Sequence, residues 1–143
     1  MPILNRKENN DILSQNPRVN VGIDFPTAIV PNGDGFFKGT KTTEDAIKSN
    51  IRLLLLTQRG ERVMQPNLGI NLRRFLFEPI TENTAVEIEN DIVQTFSYWL
   101  PFVQIRDIQI DLSSQDANQI GIKLIFKVKN GSDRLSSVQV DIG

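Results

Sequence analysis

The apolar positions change period along the chain, and each change marks an element. Residues 1–17 are polar and rich in Asn, with Pro2 and Pro17 as punctuation, and hold no apolar period. They read as an arm without a core of its own, ending in solvent or ordering on a partner. Val19, Val21 and Ile23 then alternate with polar residues, the period of a short strand. Pro26 and Pro31 with Asn32, Gly33, Asp34 and Gly35 are turn chemistry, and Phe36 and Phe37 return as a second extended piece. The Asn-Gly-Asp-Gly cluster lacks the spaced carboxylates and final Glu of a calcium loop.

From Thr42 the period lengthens. Ala46, Ile47, Ile51, Leu54 and Leu55 recur at steps of three and four, which predicts a helix to about Leu56 with one buried face. Thr42 and Thr43 followed by Glu44 and Asp45 supply its start signal, and Arg59-Gly60 a left-handed stop. Pro66, Asn67, Leu68 and Gly69 form a turn. Residues 72–77 read as a short helix presenting Leu72, Phe75 and Leu76, stopped by Pro79. A second long helix starts at Thr81 or Glu82, with a stripe of Ala85, Ile88, Ile92, Phe96 and Trp99 and with Pro101 just past its end.

The last third has a period of two. Ile108, Ile110 and Leu112 alternate on one strand. Ile120, Ile122, Leu124, Phe126 and Val128 alternate on the next, and Val138, Val140 and Ile142 on the last. Residues 116–119 and 130–133 are the hairpin turns. Val103 and Ile105 are out of phase with Ile108, which predicts a bulge near Arg106 and Asp107. The expected fold is α+β: two main helices packed on a three-stranded antiparallel β meander, with an extended N-terminal arm. The expected organisation is an arm with short extended segments over residues 1–39 and one domain over 40–143.

Composition narrows the chemistry. The 143 residues suit one domain, and an apolar share of 39% is low enough to expect unpacked segments. There is no Cys and no His, so no thiolate nucleophile, Cys metal site or Ser-His-Asp hydrolysis is available. No catalytic residue, metal or cofactor is expected. A net charge of −1 gives no reason to expect nucleic acid as a partner. The longest strongly apolar run, residues 53–56, is far too short for a membrane span, and the N-terminus lacks an apolar signal core.

Charge is segregated. Lys48, Arg52, Arg59, Arg62, Arg73 and Arg74 precede a stretch from Phe75 to Ile105 with no Lys or Arg, which carries Glu78, Glu82, Glu87, Glu89 and Asp91. Such blocks are either solvated faces or faces for charged partners. Arg59, Arg62, Arg73, Arg74, Glu82 and Glu89 are the candidates for a charged interface. Glu78 and Glu82 raise an alternative, a lysozyme-like cell-wall glycosidase, which needs one carboxyl buried enough to stay protonated. A Glu at a helix start is also favoured by the helix dipole alone. Trp99, Leu100, Pro101 and Phe102 are a candidate partner anchor: Trp99 extends the helix stripe, while the apolar side chains around the break cannot all point inward.

Several segments together resemble a known family. They are Ala46-Ile47-Lys48, the run from Leu53 through Thr57-Gln58-Arg59-Gly60-Glu61-Arg62, then Pro66-Asn67-Leu68-Gly69-Ile70-Asn71-Leu72 and Leu76-Phe77-Glu78. The pattern is similar to the baseplate wedge, sheath-initiator family of contractile phages, with counterparts in type VI secretion and extracellular contractile injection systems. The resemblance covers roughly residues 40–142.

The resemblance implies a small α+β structural protein of the virion tail baseplate or of an injection particle, assembled in the bacterial cytoplasm. It implies binding to a helical core bundle of larger wedge subunits and nucleation of sheath polymerisation by strand pairing with the sheath protein. Tube or hub proteins are further neighbours it allows. The family has carried a lysozyme label, and a related fold serves as a regulatory adaptor, which is the remaining alternative. Many relatives carry Glu-Pro-Arg after the second helix. Here Leu100-Pro101-Phe102 keeps the helix break and loses both charges. A charged dock then becomes an apolar one, or the dock lies elsewhere. The last strand, at Ser137, Val138, Gln139, Val140, Asp141 and Ile142, is the candidate sheet edge for sheath pairing, because an edge strand offers unpaired N–H and C=O groups.

Overall fold

The computed structural model describes residues 22–27, 29, 37–79, 81–111, 119–129 and 134–143. The arm over 1–17, Val19, Val21, the turn over 31–35, Phe36, Leu112 and the hairpin turns apart from Gln119 lie outside the described residues. Two compact units divide between Arg52 and Leu53, inside the first helix.

In the first unit, strand β1 (Gly22–Ile23) pairs antiparallel with β2 (Gly39–Thr40), and Ile29 bridges to Phe37. Helix α1 (Thr43–Leu56) begins here. Thr42 caps it: its Oγ1 accepts from Asp45 N–H at 3.1 Å and donates to the Asp45 carboxylate at 2.6 Å, which satisfies a donor of the first turn. Ser49, buried on this helix, donates to Asp24 at 3.0 Å and accepts from Phe25 N–H at 3.3 Å. The helix start is thereby tied to the chain just after β1. Asp24 also meets Lys38 at 2.9 Å across the ribbon. The Lys38 ammonium lowers the Asp24 pKa, opposed by partial desolvation, and the Asp24 carboxylate raises that of Lys38. Ile47 and Ile51, from the expected stripe, are buried.

In the second unit, Leu54 and Leu55 are buried on the last turn of α1. The helix stops at Leu56, as expected, but Gly60 is not what closes it. Thr57 Oγ1 donates to Leu53 C=O at 2.6 Å and closes the end of the helix. Gly60 does have a positive φ of 87°, but it serves a turn whose N–H donates to Pro66 C=O. The Pro66 turn forms as expected, and Gly69 at φ 105° lets Ile70 N–H reach Thr57 C=O at 2.9 Å. The short helix is a 3-10 turn (Leu72–Leu76) that buries Leu72 and Phe75 and leaves Leu76 half-buried. Phe77 falls beyond it and is 84% exposed.

Helix α2 (Glu82–Trp99) starts with a capping box between Thr81 and Thr84. Its face of Ile88, Ile92 and Phe96 is fully buried and packs on strand β3 (Val103–Asp111). Burial of each contributes about 1.5–3 kcal/mol. Strand β3 pairs antiparallel with β4 (Ile120–Val128), and β4 with β5 (Ser136–Ile142), giving the sheet order β3-β4-β5. The expected bulge is present as a register shift between Ile105 and Asp107. Ile120, Ile122, Leu124 and Phe126 are buried with Val138, Val140 and Ile142, so one face of the sheet is core. The α+β architecture with a three-stranded meander is as the periodicity indicates.

Candidate functional site

The meander leaves β5 at one edge of the three-stranded sheet. Its hydrogen-bonding direction follows from one bond. Lys129 N–H donates to Phe102 C=O at 2.8 Å, and Phe102 and Lys129 extend the register set by Val103 opposite Val128. In an antiparallel ladder opposite residues alternate between bonded and non-bonded pairs, and each residue's N–H and C=O point to the same side. Lys127, Ile125, Lys123 and Gly121 therefore face β3, and Phe126, Leu124, Ile122 and Ile120 face β5. Their partners Ser136, Val138, Val140 and Ile142 bond inward. Ser137, Gln139 and Asp141 are left directing N–H and C=O away from the sheet. Among the described residues no bond beyond the strand ladder reaches these three amides.

Of the six residues expected to pair with a sheath strand, then, Ser137, Gln139 and Asp141 offer the hydrogen bonds. Val138, Val140 and Ile142 hold the strand in the core. The side chains of Ser137, Gln139 and Asp141 are also exposed, on the face of the sheet opposite the core. An incoming strand would meet a regular edge anchored by three buried side chains.

The segment after α2 divides the four candidate anchor residues. Leu100 turns inward as the helix C-cap, its N–H on Phe96 C=O at 2.8 Å. Trp99 is half-buried and meets Tyr98 edge-on at 5.0 Å. Pro101 is exposed and Phe102 is 39% exposed. Tyr98, 76% exposed, was not a sequence candidate; it lies just off the stripe, and helical phase alone would have placed it outside. Tyr98 and Trp99 line an open basin of about 340 Å³ with Arg59, Asn67, Gln94 and Thr95. Trp99, a candidate anchor, and Arg59, a candidate for the charged interface, thus line the same basin.

The other charged candidates are dispersed. Arg59 donates from Nε to Gly69 C=O at 3.1 Å and from Nη2 to Thr95 Oγ1 at 3.2 Å, so it braces the loop after α1 against α2. Arg74 meets Asp91 at 3.4 Å and lies over the Phe75 ring at 4.4 Å. Arg62, Arg73, Glu82 and Glu89 are exposed. Glu78 and Glu82 are both exposed, so the burial that a glycosidase acid requires is missing at these two residues. Among the described residues no group of three or more acidic side chains is placed to hold a metal ion, and no helix is long and apolar enough to cross a membrane.

No curated protein matches the chain. Solved structures do. A protein of Geobacter sulfurreducens labelled a tail lysozyme shares 24% identity at a TM-score of 0.63, over 71% of this chain and 90% of its own. A chain of the anti-feeding prophage baseplate shares 24% identity at 0.55, over 83% and 81%. A chain of the postcontracted pyocin R2 baseplate shares 16% at 0.47, over 81% and 96%. The first two likenesses establish a shared fold. The family described as baseplate wedge protein gp25 matches residues 41–132, from just before α1 to beyond β4. That span includes both helices, the braced loop and two strands of the meander, and the chain belongs to the baseplate wedge protein gp25 family.

Proposed function

We propose that this chain is a structural, non-catalytic component of the baseplate of a contractile tail or injection particle, and that it nucleates the sheath by accepting a strand at β5. The outward row of Ser137, Gln139 and Asp141 carries this reading. Only another extended backbone satisfies such a row along its length, and main-chain pairing fixes register as well as affinity. A sheath subunit is the donor.

The second part of the role is attachment to the larger wedge subunits through the surface after α2. Pro101, Phe102 and the exposed part of Trp99 offer apolar area where relatives place charges. Aromatic side chains in such positions dominate interface energetics. Leu100 supports the dock from within by fixing the helix end.

Gln139→Pro tests the sheath role. The substitution removes an outward N–H and no ladder bond, and the side chain is exposed, so the domain keeps its fold. Particles carrying it are expected to form baseplates and tubes without extended sheaths. Normal sheaths on a folded variant overturn the proposal. Phe102→Asp tests the dock: assembly with wedge subunits weakens while circular dichroism of the isolated chain is unchanged. Undiminished assembly moves the dock elsewhere.

A further inference from the structure

The two edges of the sheet differ, and one of them has a feature that can read sequence. Strand β3 changes register between Ile105 and Asp107, with Arg106 and Asp107 both exposed. A bulge and charged side chains break the straight row of groups that a new strand needs. Strand β5 pairs without a register shift over all seven of its residues. Strand addition therefore has a single permitted direction.

At the end of β5, Asp141, Ile142 and Gly143 line a hollow of about 70 Å³ with Leu55, Leu56, Gln58, Ile70, Leu72 and Arg73. This is far below the roughly 300–1,000 Å³ of small-molecule sites, so it suits one side chain. Five of the nine lining residues are aliphatic; Leu55, Ile70, Leu72 and Ile142 are buried, and Leu56 is the one that is partly exposed. Arg73 is the single cation of the lining and has no ion-pair partner among the described residues. Asp141 does not neutralise it. The Asp141 carboxylate lies over Gly121 instead, where a Cβ would meet its Oδ1 at 3.4 Å.

We propose that the β5 edge selects its strand by sequence: an extended segment of a neighbouring chain that seats an aliphatic side chain in the hollow at Leu55, Leu56, Ile70 and Leu72 and places a glutamate carboxylate on Arg73. This rests on the strand-pairing role above and names the chemistry of the partner. The aliphatic residue enters on the core face, beside Ile142. The carboxylate follows on the same face, two residues along the added strand.

The test uses the full chain, isotope-labelled, and two synthetic peptides that alternate valine and threonine around a central leucine. One carries Glu two residues after the leucine and the other Lys. The Glu peptide is expected to shift and protect the amides of Ser137, Gln139 and Asp141 and to leave those of β3 unchanged. Arg73→Glu is expected to weaken its binding about tenfold and to favour the Lys peptide, since attraction becomes repulsion. If both peptides protect β5 equally and Arg73→Glu changes neither, the sequence selection is overturned and strand pairing stands. If neither peptide affects β5, or if either adds at β3, the strand-pairing role falls with it.

Discussion

Gly69→Ala is the substitution whose cost the structure fixes most tightly. Gly69 sits at φ 105°, and a Cβ built there lies 2.1 Å from Thr57 O and 2.7 Å from Thr57 C. Thr57 has no freedom to withdraw. Its N–H and Oγ1 both bond Leu53 C=O, and its own C=O accepts from Ile70 N–H at 2.9 Å. A non-glycine residue in this region costs about 1–3 kcal/mol. Breaking the Ile70 bond to relieve the clash adds about 0.5–1.5 kcal/mol. Displacement of the backbone beside buried Ile70 and Leu72 brings the total to about 3 kcal/mol or more, a large share of the roughly 5–15 kcal/mol that holds a domain. Gly60→Ala is the internal control, because Gly60 also has a positive φ, 87°, but nothing lies within 4 Å of its Cβ. It should cost only the local strain, about 1–2 kcal/mol. Thermal unfolding followed by Trp99 fluorescence reads both. Gly69→Ala should lower Tm by about 10 °C, and Gly60→Ala by about 3–7 °C. Equal losses, or a milder effect at Gly69, would refute the claim that Thr57 and Gly69 are in forced contact.

Other perturbations follow from single interactions. Arg59→Met removes both hydrogen bonds of the brace and leaves buried Thr95 without its donor, so stability should fall by about 1–3 kcal/mol; an unchanged urea midpoint would count against the brace. The Asp24 pKa is lowered in the fold by Lys38, so its stabilisation is complete above the ordinary value near 3.8 and is lost as pH falls through the lower folded value. Acid titration by NMR should show the amides of β1 and β2 loosening in that range, and Asp24→Asn should abolish the pH dependence there. Cell-wall hydrolysis should be absent in the native chain and in Glu78→Gln and Glu82→Gln alike; activity lost in both variants would revive the glycosidase reading.

Much of this fold is written in the spacing of apolar residues. The steps of three and four in Ile88, Ile92 and Phe96 and the alternation of Val138, Val140 and Ile142 survive folding because each set buries a complete face. The phase change between Ile105 and Ile108 located the bulge for the same reason. Gly60 misled because a glycine after a helix predicts a left-handed stop. Thr57 closes the helix three residues earlier, with a side-chain bond to Leu53 that hydropathy does not encode. At the candidate site, alternation identified the strand, but it could not say which of Ser137, Val138 or Gln139 turns its backbone outward. That depends on which pairs are bonded, which a single contact between Lys129 and Phe102 decides. The charge blocks were visible as blocks, while the engagement of Arg59 with Thr95, 36 positions away, is a tertiary fact. Tyr98 was missed because attention to the buried stripe passes over the residue beside it.

Hydrogen–deuterium exchange on the free chain and on sheathed particles tests the central claim most directly. In the free chain the amides of Ser137, Gln139 and Asp141 should exchange quickly while those of Val138 and Val140 are slow. In sheathed particles all five should be slow. If the three outward amides exchange equally fast in both states, no strand has been added at β5 and the nucleating role is contradicted.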